Sequence, residues 1–352
     1  MPFSDVLAQE RALGALRAAL RRGALHHAYL FGGPPGTGKA RAARLFAQAA
    51  NCEGGTGGPS GFREEPCGTC RPCRKIDADN HPDVFWLREE RAMAKAGRWE
   101  PKAGRSPSKD IVVDQVRDLV DHRLAMKRFE GRRRFVVVDP ADAMNPQAQN
   151  ALLKTLEEPP DDTTLVLVAG SPDALLPTIR SRCLRVAFRP IPDALVVSRL
   201  EAEGRSPAEA RLAAALAGGS LGRAMALDPV ELDALNEAVR AAAALDPDDA
   251  LGWLTFARER GGDRARAAEL CELLAVWLRD VLAAQAGGGS PALLDLAPET
   301  ARAAAALSPA EVVRRREEVV WTVLALGQNA SPVLALERLV IKWFAEGAHG
   351  RA

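Results

Sequence analysis

The segment GGPPGTGKA, residues 32–40, has the composition of a loop that binds phosphate groups. Residues Gly33–Lys39 match the pattern Gly-x-x-x-x-Gly-Lys, in which backbone N–H groups surround phosphate oxygens and the lysine reaches the β- and γ-phosphates. The pattern continues with a Ser or Thr whose hydroxyl holds Mg²⁺, but this chain has Ala40 there. We therefore predict a loop that can bind ATP but lacks one ligand of the metal ion. Its predicted nucleotide-binding residues are Gly33, Gly36, Gly38 and Lys39.

A second feature of an ATPase is an apolar strand that ends in an acid, and FVVVDPAD (135–142) fits that description. Asp139 would hold the magnesium side of the site. Many ATPases of this type place a glutamate next to position the attacking water, whereas Pro140 has neither a carboxylate nor an N–H group. Asp142 lies two residues further on and is a weaker candidate for a base. Because the metal hydroxyl and the water base are both missing, we predict that ATP hydrolysis is lost.

Four of the six cysteines lie within one short segment, where the first is followed after fourteen residues by the run CGTCRPC. Four thiolates so close together can surround one Zn²⁺ ion tetrahedrally, which leaves no open position for water and predicts a structural site. The alternative is a set of unrelated free thiols. The predicted metal ligands are Cys52, Cys67, Cys70 and Cys73, whereas Cys183 and Cys271 stand alone in apolar contexts and are expected to be buried.

Short apolar runs alternate with helical patterns in the first half of the chain. Parallel strands that are covered by helices on both faces have this pattern, and in such folds ligands bind at the carboxyl ends of the strands. We therefore predict an α/β fold with a five-stranded parallel sheet and the glycine-rich loop after its first strand. The five strand candidates are 28–33, 83–87, 134–139, 163–170 and 184–188.

Pro190 and Pro192 mark a break, beyond which the sequence has helical patterns and no convincing strand. We predict three domains from this change. They are an α/β P-loop domain over residues 1–189 with the zinc module at 52–73, a small helical lid domain over 190–228, and a C-terminal all-α domain over 229–352.

The net charge is +1, with 47% hydrophobic and 26% charged residues, which is ordinary for a globular protein and excludes a strong overall field toward nucleic acid or membrane. No stretch approaches the ~18 apolar residues of a membrane span. The first residues include Asp5 and Glu10 and lack the apolar core of a signal peptide, so we expect a cytoplasmic protein. The basic segment 88–109 and the run GRRR (131–134) are both expected to be solvated.

Three longer stretches carry a resemblance to a known family: LHHAYLFGGPPGTGK, VVVDPADAMNPQAQNALLKTLEEPP and LLPTIRSRC. In this order and at these distances they resemble the AAA+ proteins of the bacterial clamp loader, which opens the sliding clamp for DNA polymerase III, and among its subunits the delta-prime type. The resemblance implies an open ring in which each ATP site borrows an arginine from a neighbour's Ser-Arg-Cys motif. Here that residue is Arg182. An arginine supplied in trans is worth up to ~10³–10⁵ in rate.

The resemblance also implies further contacts. Arg223, in GGSLGRAM, would approach the γ-phosphate of a bound nucleotide, and Arg117 would touch DNA phosphates. The implied partners are the gamma/tau and delta subunits, the sliding clamp and primer–template DNA, with the C-terminal helices serving oligomerisation. The alternative for each arginine is a structural role, as a helix cap or in a surface ion pair.

Two other functions remain open. The chain could be an active motor ATPase of gamma/tau type, which would require Ser or Thr at position 40 and Glu at position 140. It could instead be a zinc-stabilised nucleic-acid-binding module, which would require basic or aromatic residues between the cysteines. That segment is rich in Gly, Pro and Glu, with Arg63, Arg71 and Arg74. We favour a stator, a subunit that assists a neighbour's hydrolysis without performing its own.

Overall fold

The computed structural model describes residues 2–55, 60–102, 104–288 and 291–344. The chain divides into two compact units, Met1–Ile191 and Pro192–Ala352. The finer division into three domains stays a prediction.

The first unit is built around one parallel sheet with the strand order β2-β3-β4-β1-β5. Its strands are β1 (Ala28–Gly32), β2 (Val84–Leu87), β3 (Arg134–Val138), β4 (Thr163–Ala169) and β5 (Leu184–Ala187). Its helices are α1 (Glu10–Arg22), α2 (Lys39–Asn51), α3 (Arg71–Asp77), α4 (Glu90–Lys95), α5 (Val113–Asp118), α6 (Pro146–Glu157) and α7 (Pro177–Arg180).

Every residue of β3 and β4 is buried, because apolar layers cover both faces of the sheet. Tyr29 and Phe31 of β1 point to one layer, where Phe46 of α2 packs edge-on against Tyr29. Leu30, between them, points to the opposite layer, which includes Leu152 of α6. The predicted α/β class, a five-stranded parallel sheet with a glycine-rich loop after its first strand and a helical region after it, is confirmed.

One detail of the sequence interpretation is wrong. Arg134 does not lie in a solvated turn, since it is 3% exposed and is the first residue of β3. Its guanidinium donates hydrogen bonds to the carbonyl oxygens of Leu124 (3.0 Å) and Met126 (2.6 Å). The long aliphatic part of the side chain lets this arginine begin a buried strand, while its guanidinium forms hydrogen bonds with backbone carbonyl groups of the preceding segment.

The second unit is helical throughout its described residues, 192–288 and 291–344. Several of its helices begin at a residue whose side chain accepts a backbone N–H group, as Ser206, Asp228, Asp263 and Ser308 do. The helices are α8 (Asp193–Ala202), α9 (Pro207–Ala217), α10 (Leu221–Ala226), α11 (Pro229–Ala243), α12 (Ala250–Arg260), α13 (Arg264–Gln285), α14 (Ala297–Ala306), α15 (Pro309–Gly327) and α16 (Pro332–Phe344).

Helix α13 is the centre of this unit. It packs against α11, α14 and α15, and it buries Trp277 and Cys271 completely or almost completely. Across the described residues, none of the helices combines the length and the apolar character that crossing a bilayer requires.

A buried carboxylate fixes the chain where it enters β3. Asp83 is 1% exposed and accepts backbone N–H groups from Phe129 (2.9 Å), Glu130 (2.8 Å) and Gly131 (2.7 Å). Burial by itself raises the pKa of this carboxyl, but the three backbone hydrogen bonds outweigh burial and hold the pKa below its ordinary value. The carboxylate therefore stabilises the fold above the pKa of the unfolded chain, and this contribution is lost as the pH falls through the folded-state pKa.

We expect Asp83→Asn to lower the free energy of unfolding at pH 7 by about 2 kcal/mol, because charge-assisted hydrogen bonds are replaced by weaker or unsatisfied ones. The difference from the unmodified chain should shrink on acidification. Urea unfolding followed by circular dichroism at several pH values measures both effects. Asp161→Asn, at an exposed position, is the matched control and should change little. Equal stability of the two variants would contradict the role of Asp83.

Candidate functional site

The glycine-rich loop leaves the carboxyl end of β1, a strand that lies between β4 and β5. Gly33, Gly36 and Gly38 have φ angles of 146°, 70° and 90°, a region that residues with a Cβ rarely adopt. At Gly33 a Cβ would lie 2.2 Å from the carbonyl oxygen of Phe188, which follows β5. Glycine is therefore required both by the turn of the loop and by the close approach of a neighbouring backbone.

Lys39, the first residue of α2, lies inside this loop. It is 5% exposed, and its Nζ donates to the carbonyl oxygens of Gly33 and Pro34, both at 2.5 Å. Burial lowers the pKa of Lys39, while the charges of Asp139 and Asp142 raise it. The ammonium thus already has two acceptors inside the loop, and an incoming phosphate would compete with these carbonyl oxygens for it.

Ala40 follows on α2 and packs its methyl group against the apolar layer that contains Phe46. This side chain offers no ligand atom for a metal ion. The structure therefore agrees with the sequence pattern in placing an apolar contact where a magnesium hydroxyl ligand belongs.

Asp139 follows β3 directly, and its backbone N–H donates to the carbonyl oxygen of Leu87 (2.9 Å). Burial raises the pKa of its carboxyl, and the charges of Arg88 and Lys39 oppose that rise. Lys39 and Asp139 therefore face the same region at the carboxyl edge of the sheet. Pro140 comes next, so the sheet edge carries an acid but no adjacent second carboxylate.

The weaker base candidate, Asp142, is engaged elsewhere. Its Oδ2 accepts the backbone N–H of Ser171 at 2.7 Å, just beyond the end of β4. The Asp142 carboxylate therefore connects the segment after β3 with the segment after β4. The sequence alone did not predict this contact. The backbone N–H of Ser171 thus occupies one of the carboxylate oxygens that a water molecule would need.

The four clustered cysteines meet at one point, since their sulfur atoms all lie within 4.8 Å of one another. Backbone N–H groups turn toward the sulfurs, from Cys67 to Cys52 Sγ (3.3 Å) and from Cys70 to Cys67 Sγ (3.2 Å). At Gly54 a Cβ would lie 2.5 Å from Cys67 Sγ, so the chain passes too closely for a side chain there.

The thiols of the cluster differ in pKa, because burial raises the pKa of Cys52 and of Cys73. Although burial raises the pKa of Cys67, hydrogen bonds from Cys70 and Thr69 lower it to about 5. A thiolate is the form of cysteine that binds metal, and four sulfurs at this separation could hold a single ion. Cys183 and Cys271 lie apart from the cluster and are buried, and burial raises the pKa of each to about 12, as expected for inert thiols.

Arg182 lies in the turn after α7, within the Ser-Arg-Cys run. Cys183 anchors this turn in the core at 8% exposure, whereas the Arg182 side chain is 36% exposed. Its guanidinium pairs with Glu157 Oε1 (2.7 Å) and donates to the carbonyl oxygen of Thr178 (3.0 Å). Glu157, the last residue of α6, belongs to the quoted LEEPP stretch but received no role from the sequence.

The other two predicted arginines are also at the surface of their units. Arg223, on α10 of the second unit, forms an ion pair with Glu272 of α13. Arg117, on α5 of the first unit, is exposed. Neither guanidinium group is buried without a partner, so the structure gives no sign of a missing ligand at either residue. The roles of both residues stay predictions.

Comparison with known proteins gives the family. The family described as "DNA polymerase III, delta subunit" matches residues 8–192. DNA polymerase III subunit delta' of Pseudomonas aeruginosa is 41% identical over 199 residues, which cover 55% of this chain and 53% of that protein. The delta' subunit of Bacillus subtilis is 34% identical over 207 residues, 58% of this chain and 55% of the relative.

A third relative has a different subunit name. DNA polymerase III subunit tau of Escherichia coli is 32% identical over 277 residues, which cover 75% of this chain and 39% of the relative. The chain thus spans about half the length of its delta' relatives and less of tau. These matches confirm the resemblance carried by the phosphate loop and the LEEPP and SRC stretches. The chain belongs to the DNA polymerase III delta-subunit family.

Proposed function

We propose that this chain is a delta-prime-type subunit of the DNA polymerase III clamp loader. In this role it is a stator that gives Arg182 to a neighbouring ATPase subunit while the sliding clamp is loaded onto primed DNA. The observation that carries the proposal is the pairing of a well-formed phosphate loop with two missing hydrolysis groups, at Ala40 and Pro140. Two losses in the same reaction favour a subunit that serves its neighbour's site.

The geometry of Arg182 supports this role. An ion pair as exposed as Arg182–Glu157 contributes only about 0–1 kcal/mol, so a neighbour's phosphate can replace Glu157 at small cost. The buried Cys183 beside it keeps the turn in place while the guanidinium exchanges partners. At the neighbour's site the arginine would stabilise charge on the transferred phosphoryl group, an effect of up to ~10³–10⁵ in rate.

The chain's own loop would still bind nucleotide. Gly33, Gly36, Gly38 and Lys39 supply the phosphate contacts, Asp139 supplies the acid at the sheet edge, and Arg223 approaches the γ-phosphate after leaving Glu272. Asp142 does not replace the missing base in this proposal, because its Oδ2 holds the backbone of Ser171 and its Oδ1 is buried away from solvent.

The cysteine cluster would hold one structural Zn²⁺. Cys52, Cys67, Cys70 and Cys73 provide four sulfur ligands, the complete set of a closed tetrahedral site. Bound there, the ion adds folding free energy to a segment that has few apolar residues of its own.

Assembly would use the C-terminal helices. Helix α15 exposes a row of large apolar side chains, and α16 adds Leu334 and Ile341. Such residues on one pair of helices suit a hydrophobic interface with the gamma/tau and delta subunits. The exposed residues of α15 are Val313, Val320, Trp321 and Leu324. The other proposed partners are the sliding clamp and primer–template DNA. Arg117 would contact one DNA phosphate, and all of these contacts would be made in the cytoplasm.

A second candidate function is a motor ATPase of gamma/tau type, which the match to the E. coli tau subunit over 75% of the chain favours. Ala40 and Pro140 oppose it, because turnover would then lack a metal ligand and a water base. A zinc-stabilised nucleic-acid module is the third possibility and has less support, since acidic Glu64 and Glu65 bind Arg21 and Arg17 beside the cysteines.

We expect Arg182→Ala to reduce the clamp- and DNA-stimulated ATPase rate of the reconstituted loader several-fold, because one interface loses its trans cation. The chain alone should be inert. Size-exclusion chromatography verifies that the variant still assembles, and Arg185→Ala, an exposed arginine three residues away, is the matched control. ATP turnover by the isolated chain, or an unchanged rate with Arg182→Ala, would restore the motor interpretation.

We also expect ATP to bind the isolated chain with an affinity that depends little on Mg²⁺, because Ala40 cannot ligate the ion. Titration calorimetry with and without EDTA measures this. Ala40→Thr should introduce magnesium dependence, and Lys39→Ala should remove binding, since the phosphates lose their cation. A strong magnesium dependence of the unmodified chain would show that the ion is held without the hydroxyl.

For the metal site, we expect one Co²⁺ per chain with the thiolate-to-cobalt absorption of a tetrahedral sulfur site, displaced by Zn²⁺. Cys73→Ser should weaken the absorption and destabilise the segment, whereas Cys271→Ser should leave the spectrum unchanged because Cys271 lies outside the cluster. Identical spectra for the two variants would mean that the four sulfurs do not act as one site.

A further inference from the structure

Strand β2 is at the end of the sheet and pairs with β3 on one side. Phe135 N–H donates to the carbonyl of Asp83, and Asp139 N–H donates to that of Leu87, so alternate residues of this strand turn their backbone toward β3. Val84 and Trp86 lie at the alternate positions, so their backbone N–H and carbonyl groups face away from β3, toward the open edge of the sheet. The Val84 N–H donates to the carbonyl oxygen of His81. Among the described residues, no group of the chain forms a hydrogen bond with the Trp86 N–H or with the carbonyl oxygens of Val84 and Trp86.

An open groove of about 830 Å³ runs beside this edge. Met93 and residues 97–99 line it from the segment after β2, and Leu119 and Met126 line it from the region of α5. The groove therefore places unpaired backbone groups next to apolar side chains, which is the combination that an added strand uses.

The charge around the groove is positive. Five basic side chains line it against three acidic ones, and each acid already has partners. Asp79 faces Arg44, Arg88 and Arg98, Asp83 holds three backbone N–H groups, and Asp118 lies near His122 and Arg123. The basic residues are Lys75, Arg98, Arg123, Lys127 and Arg134.

One of these cations, Lys127, is exposed and forms no ion pair with the described residues. Arg134, in contrast, is buried, and its guanidinium donates to carbonyl oxygens. The groove therefore has positive charge that its own chain does not neutralise.

We propose that the open edge of β2 is a docking site for an extended, acidic segment of a partner protein, which adds to the sheet as a sixth strand. A carbonyl of that segment accepts the Trp86 N–H, and its N–H groups donate to the Val84 and Trp86 carbonyls. Alternate side chains of the segment then pack on Met93 and Met126, and its acidic side chains face Lys127 and Arg98.

The same groove is less suited to single-stranded nucleic acid, although it is basic and contains aromatic residues. The guanidinium groups of Arg44 and Arg88 lie over the Trp86 ring, at 4.7 and 4.9 Å from its centroid, and the residue is only 8% exposed. Trp99 is held through its ring N–H by Glu90 (3.3 Å). Phe129 also lines the groove and is exposed, but it offers a single ring for base stacking, whereas strand addition uses the backbone edge that this groove provides.

The probe for this site is a terminally blocked, fluorescently labelled octapeptide of alternating Asp and Val, titrated into the full chain. We expect a saturable rise in anisotropy together with slower hydrogen exchange at the Trp86 amide. Lys127→Glu should weaken binding about fivefold, the effect of about 1 kcal/mol for an exposed charge pair. Lys95→Glu, exposed and outside the groove, should bind as the unmodified chain does.

Arg98→Glu gives a second measurement if Lys127→Glu fails to fold. Absence of binding at millimolar peptide, equal binding of a Lys-Val octapeptide, or binding without protection of Trp86 would each overturn the proposal. Stronger protection of the groove by an eight-nucleotide oligo-dT would overturn it in favour of nucleic acid. None of these outcomes depends on Arg182 or on ATP, so this proposal and the stator function fail independently.

Discussion

The close passage of two backbones at Gly33 is the constraint on which the first unit depends. The loop leaves β1 against the carbonyl oxygen of Phe188, where even a Cβ would lie 2.2 Å away. This contact lets β5 pair beside β1 and still leaves room for the loop to turn into α2. It thereby places Lys39, the first residue of α2, at the same sheet edge as Asp139, which follows β3.

The two charged side chains that are proposed to meet phosphate groups already have partners within the chain. Lys39 binds two loop carbonyls, and Arg182 pairs with Glu157. A phosphate at either side chain must therefore exchange with an existing contact. The exchange at Arg182 is inexpensive because the pair is exposed, whereas Lys39 is buried and an arriving phosphate must replace two short hydrogen bonds.

The two units differ in what their surfaces offer. In the first, an unpaired strand edge and an arginine turn present polar groups of fixed direction, which suit partners that dock in one register. In the second unit, α15 and α16 expose apolar side chains, which suit association with a partner that buries this apolar surface. The proposed role as a ring subunit would use both kinds of surface, since assembly and catalytic contact are separate tasks.

The sequence by itself determined the features whose chemistry lies in neighbouring residues. Loop glycines, the lysine, the missing hydroxyl at Ala40 and the spacing of the four cysteines are local, so a pattern along the chain suffices to predict them. Tertiary structure alone decided the contacts between distant segments, such as Asp142 with Ser171, Arg182 with Glu157, and the buried role of Arg134. The order of the strands in the sheet brings these segments together. Neither the hydrophobic periodicity nor a motif of the sequence predicts that order directly.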